Sequence, residues 1–199
     1  MQFDHLAIAA ETLDEGVAWV EDTLGIALQD GGDHPQFGTH NKLLSLGGDS
    51  YLEVIAARPG TVPMEARARW FGLDEFQGIP RLVTWVVRVN SFSDALDQIP
   101  YPPHEVLSLE RGQYRWRMAV PDGGALPLDG VAPKLIAWDG PHPAPTLTDQ
   151  GVRTERLELS HPDIDLLKPL KGMGDWLVAS EGPSSLRALL ATPSGPRWL

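Results

Sequence analysis

Thr12, Val17 and Val20 recur 79 positions later as Ser91, Leu96 and Ile99, and this spacing constrains the fold more than any other feature of the chain. Each set marks a helix. Thr12 precedes Glu15 by three positions in a capping-box pattern, and Leu13, Val17, Val20 and Leu24 form one apolar stripe that Gly25 can terminate. Ser91 stands in the same relation to Asp94, with Phe92, Leu96 and Ile99 as the stripe before Pro100. A strand-like run precedes each helix, FDHLAIAA at 3–10 and RLVTWVVRV at 81–89. After the first helix come HNKLLSL and YLEVIAA around the turn GGDS. Their counterparts after the second are GQYRWRMAVPDGG at 112–124 and PKLIAWDG at 133–140. A period this long exceeds that of solenoids and predicts two copies of a small α+β module.

The first module is assigned to residues 1–70 and the second to 71–140. Residues 30–38 (DGGDHPQFG) read as a loop between elements. GPHPAPTLTDQG at 140–151 reads as a linker carrying His142, and His104 and His161 as residues of turns. Residues 141–199, with RLELSHPD and SLRALLATPSG, are expected to add a strand and helix segment to the same domain.

Sixteen Lys and Arg against 27 Asp and Glu leave a net charge of −11, which repels nucleic acid and anionic membranes. The chain has no Cys, so disulfides, thiolate metal sites and a cysteine nucleophile are excluded. No GxSxG elbow or phosphate loop is present. No apolar run approaches the roughly 18 residues of a membrane span. The expectation is a cytoplasmic protein, monomer or homodimer, whose partner is a small molecule.

Glu53 is the residue that asks for a function. In YLEVIA the two-residue period of a strand sets Tyr51, Glu53 and Ile55 on one face, and in FDHLAIAA it sets Phe3, His5 and Ala7 against Asp4, Leu6 and Ile8. With Leu6 and Ile8 under the first helix, His5 and Glu53 share the inner face. A carboxylate there must be paired, protonated or metal-bound.

The repeated β-α-β-β order, DHLAIAA at the start, GTHNKLLSLGGDSYLEVIA, and the later RGQYRWRMAVPDGG and LIAW resemble the glyoxalase-like domain proteins of the vicinal-oxygen-chelate superfamily. The resemblance covers about residues 1–140. It implies an α+β fold of paired βαβββ modules forming curved mixed sheets around a cavity, with helices outside. It also implies a divalent metal, one of Zn, Mn, Fe, Ni or Mg, held by His5 and Glu53, with Glu53 catalytic in a metal-assisted lyase, isomerase or dioxygenase. His40 and Asn41, in the segment that carries the resemblance, are its implied substrate contacts.

The repeat places Thr84 and approximately Ala137 where a four-ligand site would draw its second pair, and neither is a ligand. Metal-free sequestration of a small molecule, as in bleomycin-resistance proteins, is therefore the alternative function. On that reading Glu53 is satisfied by hydrogen bonds or an arginine and His5 is a satisfied core histidine. In QYRWRMAV, Arg115 and Arg117 share one face and Tyr114, Trp116 and Met118 the other. Packing of the aromatic side under a helix would turn both guanidinium groups into the cavity as a substrate clamp; the alternative is a solvated edge.

Overall fold

The computed structural model describes all residues from 1 to 199. Its main element is an eight-stranded mixed sheet, with β1 (Gln2–Ala9), β2 (Gln29–His34), β3 (Thr39–Ser45) and β4 (Tyr51–Ala57) from the first repeat. The second repeat supplies β5 (Arg81–Arg88), β6 (His104–Arg111), β7 (Tyr114–Pro121) and β8 (Lys134–Trp138). The order across the sheet is β2-β3-β4-β1-β5-β8-β7-β6, with each module's first strand beside its last in parallel and the modules joined by antiparallel β1 and β5. The sheet curls until its edges meet: Arg111 at the end of β6 reaches His34 on β2 and Asn41 on β3. Two strands were not legible as such. Residues 29–34 form β2 where a loop is expected, and His104 begins β6 rather than punctuating a turn.

Helix α1 (Leu13–Leu24) forms as its sequence dictates. Thr12 accepts from the Glu15 amide at 3.3 Å, and Gly25 closes the helix in the left-handed region, its amide bonded to Glu21 at 2.8 Å. Leu13, Val20 and Leu24 are buried against Leu44, Leu52 and Val54 on the convex side of the sheet. Helix α2 (Phe92–Leu96) has the same cap, Ser91 accepting from the Asp94 amide, yet lasts five residues because prolines follow at 100, 102 and 103. One helical turn cannot cover a four-stranded half-sheet.

The C-terminal segment covers the rest. β9 (Arg153–Ser160), β10 (Leu177–Ser180), β11 (Ser185–Ala191) and β12 (Arg197–Trp198) form a second sheet in the order β10-β9-β11-β12. Its Leu157, Leu159, Ala188 and Leu190 join Trp85, Val87 and Leu135 in the outer core. The expected helix here is a run of 3-10 turns over Ile164–Met173, interrupted by Pro169. A second apolar cluster, including Ala7, Ala9, Phe37, Ile55, Trp70, Phe71, Val86, Trp116, Met118 and Ile136, fills the inside of the curl. No helix is long and apolar enough to cross a membrane.

Candidate functional site

A β-bulge decides which groups enter the cavity. The pairing of β1 with β5 slips between Phe3 and His5, so strict alternation fails at Asp4. Phe3 then packs with Leu6 and Ile8 on the convex side, contrary to the strand-period expectation, while His5 stays on the concave side with Ala7. Asp4 is drawn fully inside. It meets His5 Nδ1 at 2.6 Å, Arg88 Nε at 2.9 Å, Trp138 Nε1 at 3.0 Å and His142 Nε2 at 3.1 Å. Burial works against the Asp4 charge, but the hydrogen bonds with His142 and His5 outweigh it and hold the carboxyl well below the usual range. His142 is thus no linker residue: the Pro-rich segment turns back over the cavity rim, where Ala144 packs on Tyr51 and Leu43.

Asp4 fixes the orientation of the His5 ring. With Nδ1 held by Asp4, Nε2 faces Glu53 Oε2, 3.6 Å away, and Tyr51 stacks on the ring at 4.4 Å. Glu53 is buried, and its other oxygen accepts from Asn41 Nδ2 at 2.5 Å. Asn41 Oδ1 in turn accepts from Arg111 Nη1 at 2.9 Å and from the Gly32 amide at 2.8 Å. Asp4, His5, Glu53, Asn41 and Arg111 form one line of polar contacts through an apolar interior.

The glycine pair in β2 makes room for this line. A Cβ on Gly31 would lie 2.0 Å from Asn41 Oδ1, and one on Gly32 would lie 2.8 Å from Arg111 Cδ. His34, at the end of β2, meets Arg111 at 3.3 Å and Thr39 Oγ1 at 3.1 Å, and Trp70 Nε1 donates to the same hydroxyl. Burial first, then the Arg111 charge, push the His34 pKa well below its ordinary value, so it accepts from Arg111 as a neutral ring. Trp70, Phe71, Trp116, Met118, Ile136 and Trp138 complete the walls. The enclosed space is about 20 Å³, the room of a single water molecule.

Of the residues singled out from sequence, the structure brings His5, Glu53 and Asn41 together. His40 lies on the opposite face of β3, toward Arg58, Asp33 and Asp14, where burial and then the Arg58 charge lower its pKa. Arg115 and Arg117 are corrections: both are exposed, Arg117 pairs with Asp139 at 2.9 Å, and Arg115 lies 3.7 Å from Glu110. The face of β7 that carries Trp116 and Met118 lines the cavity instead of packing under a helix. Arg111, Asp4, His34 and His142 are members that the strand alternation alone did not reveal; the glycine pair at 31–32 inside a strand was the available sign of close side-chain approach.

The register also corrects the repeat. Glu53 lies opposite Ala7, and adding 79 to Ala7 gives Val86, whose partner on β8 is Lys134. Ala137 belongs to the convex core. The second-module counterpart of Glu53 is therefore a lysine. No group of three or more His, Cys, Asp or Glu side chains gathers anywhere in metal-binding proximity. His5 Nε2 and Glu53 Oε2 offer two donors, short of the three or four protein ligands of zinc sites, and fit only a cation completed by water or substrate oxygens.

A family model described as "Glyoxalase-like domain" matches residues 3–171. Solved structures that the chain is similar to include methylmalonyl-CoA epimerase from Mycobacterium tuberculosis, 18% identical over 73% of this chain and 91% of that one, with a TM-score of 0.43. A hypothetical protein from Bacillus halodurans C-125 is 13% identical over 69% and 92% of the two chains, with a TM-score of 0.43. No curated protein matches.

Proposed function

The chain belongs to the glyoxalase-like domain family, and from that premise we propose that its inner cavity binds a small, anionic, oxygen-bearing organic molecule. One observation carries this reading: the Arg111 guanidinium joins the end of the buried Asn41–Glu53–His5 line, at a cavity walled by aromatic rings. His5 Nε2 and Glu53 Oε2 face one another across 3.6 Å and offer polar partners for a ligand's hydroxyl or other oxygen. Arg111 supplies the positive charge for the ligand's carboxylate or oxyanion. Should the bound molecule react, Glu53 is the group placed to take a proton, and Arg111 with Asn41 is placed to stabilise the charge that develops, as isomerase or lyase chemistry requires. Sequestration without turnover uses the same contacts.

Calorimetric titration with 2-hydroxy and 2-oxo carboxylates tests the proposal. Saturable binding is expected, weakened about tenfold or more in Arg111→Gln and in Glu53→Gln. Heat of binding that is unchanged in both variants would refute it.

A divalent metal between His5 and Glu53 is the second reading, and Asp4 favours it. A carboxylate that holds one imidazole nitrogen and aims the other is the usual support of a metal-bound histidine. Bound, the ion would act as a Lewis acid on a substrate oxygen. Elemental analysis decides: metal near one per chain that disappears in His5→Ala and Glu53→Ala supports this reading, and its absence after dialysis against each cation refutes it.

A further inference from the structure

The inner cavity has room for little more than the anionic head of a ligand, and one of its walls is shared with a far larger space. Outside the curl, a groove of about 1020 Å³ runs between residues 68–83, the turn at 123–129 and the C-terminal sheet edge at 184–187 and 198–199. Phe71 lines both spaces. We infer that the groove and the cavity are two subsites for one elongated ligand, an organic anion with an apolar body, and that the Phe71 side chain is the door between them. The inference rests on the inner cavity being a ligand site.

Three observations support it. The groove is built for such a body: Phe76, Leu126, Leu186 and Trp198 give apolar walls, and its volume lies at the upper end of those of small-molecule sites. It also offers cations with loose anchoring. Arg81 lies over the Phe76 ring at 4.2 Å with only backbone carbonyls as acceptors, and Arg187 lies over Trp198 at 4.3 Å, its nearest carboxylate being Glu158 at 3.9 Å.

The third observation lies under the door. Lys134, fully buried, donates to the Ala125 carbonyl at 2.5 Å and stands 5.9 Å from the Phe71 ring, with no carboxylate beside it. Ala125 and Phe71 are themselves groove-lining residues. A turn of the Phe71 ring exposes this ammonium to the passage, where it meets a ligand's anionic group. Phe71 also holds φ at +57°, a left-handed conformation unfavourable for a side chain of this size, so its present seat is strained.

Lys134 is the reporter. Its buried Nζ is labelled by an amine reagent only when reagent reaches it past Phe71. The probes are trinitrobenzenesulfonate, read by peptide mass, and anilinonaphthalenesulfonate as an unreactive groove occupant. Exposed Lys168 serves as internal reference. Relative to Lys168, labelling of Lys134 should rise about tenfold in Phe71→Ala and about threefold in the better-filling Phe71→Leu, and fall about fivefold in wild type saturated with the fluorophore. Arg81→Glu should weaken fluorophore binding about fivefold. Labelling that neither Phe71 variant accelerates, or that the fluorophore does not protect against, would overturn the inference. Glu53 and Arg111 take no part in this readout, so loss of small-carboxylate binding would refute the cavity reading while leaving the labelling result standing.

Discussion

Asp4 and Lys134 are two residues whose charge states the interior changes, and in both the lowered pKa makes stability rise with pH, in separate windows. The folded pKa of Asp4 lies below its ordinary 3.8, so the folded state favours the carboxylate; this stability is fully present above about pH 4 and is lost as pH falls through the folded value. Asp4→Asn should cost on the order of 3 kcal/mol at neutral pH, because Arg88, His5 and His142 lose their common partner, and should flatten acid unfolding, measured by urea titration at several pH values. Lys134 has the same sign at higher pH, but there the buried charge destabilises the fold. Its folded pKa of about 7 lies below the ordinary 10.5, so between these values the unfolded chain binds more protons and stability rises with pH. Lys134→Met should be more stable than wild type at pH 6 by on the order of 2 kcal/mol, with the gap closing toward pH 10. A residue that lowers stability where it sits is consistent with a role in ligand contact.

At the scale of elements, the caps and turns were the most legible part of the sequence. Thr12→Ala should lower stability by about 1 kcal/mol through loss of the α1 cap, measured by thermal unfolding; Ser91→Ala should cost less, since α2 is a single turn. His5 and Glu53 could be found because each follows the two-residue period of a strand, and Asn41 because its segment carries the family resemblance. What that period could not show was its own failure. The bulge at Asp4 reverses the sides of Phe3 and Asp4, and no residue type at 3–5 announces it. Arg115 and Arg117 were misplaced for a related reason: an aromatic face reads as core, and in a curled sheet the concave side is core as much as the side under a helix. β2 was hidden because its glycines look like a turn, whereas here they are small so that Asn41 and Arg111 can pass.

For the whole molecule, the C-terminal sheet takes the place that a longer second helix would fill. A chain ending after Gly151 would expose the convex faces of Trp85, Val87 and Leu135, and it should aggregate or fail to fold, judged by size-exclusion chromatography and circular dichroism. The same closure makes the ligand account testable in one experiment, because Trp70, Trp116 and Trp138 all line the inner cavity and report on whatever enters it. The decisive measurement is tryptophan fluorescence during titration with 2-hydroxy and 2-oxo carboxylates, in wild type, Arg111→Gln and Glu53→Gln. A saturable change in wild type that is lost in both folded variants is the predicted result. No saturable change with any of these carboxylates, or one that survives in both variants, would contradict it.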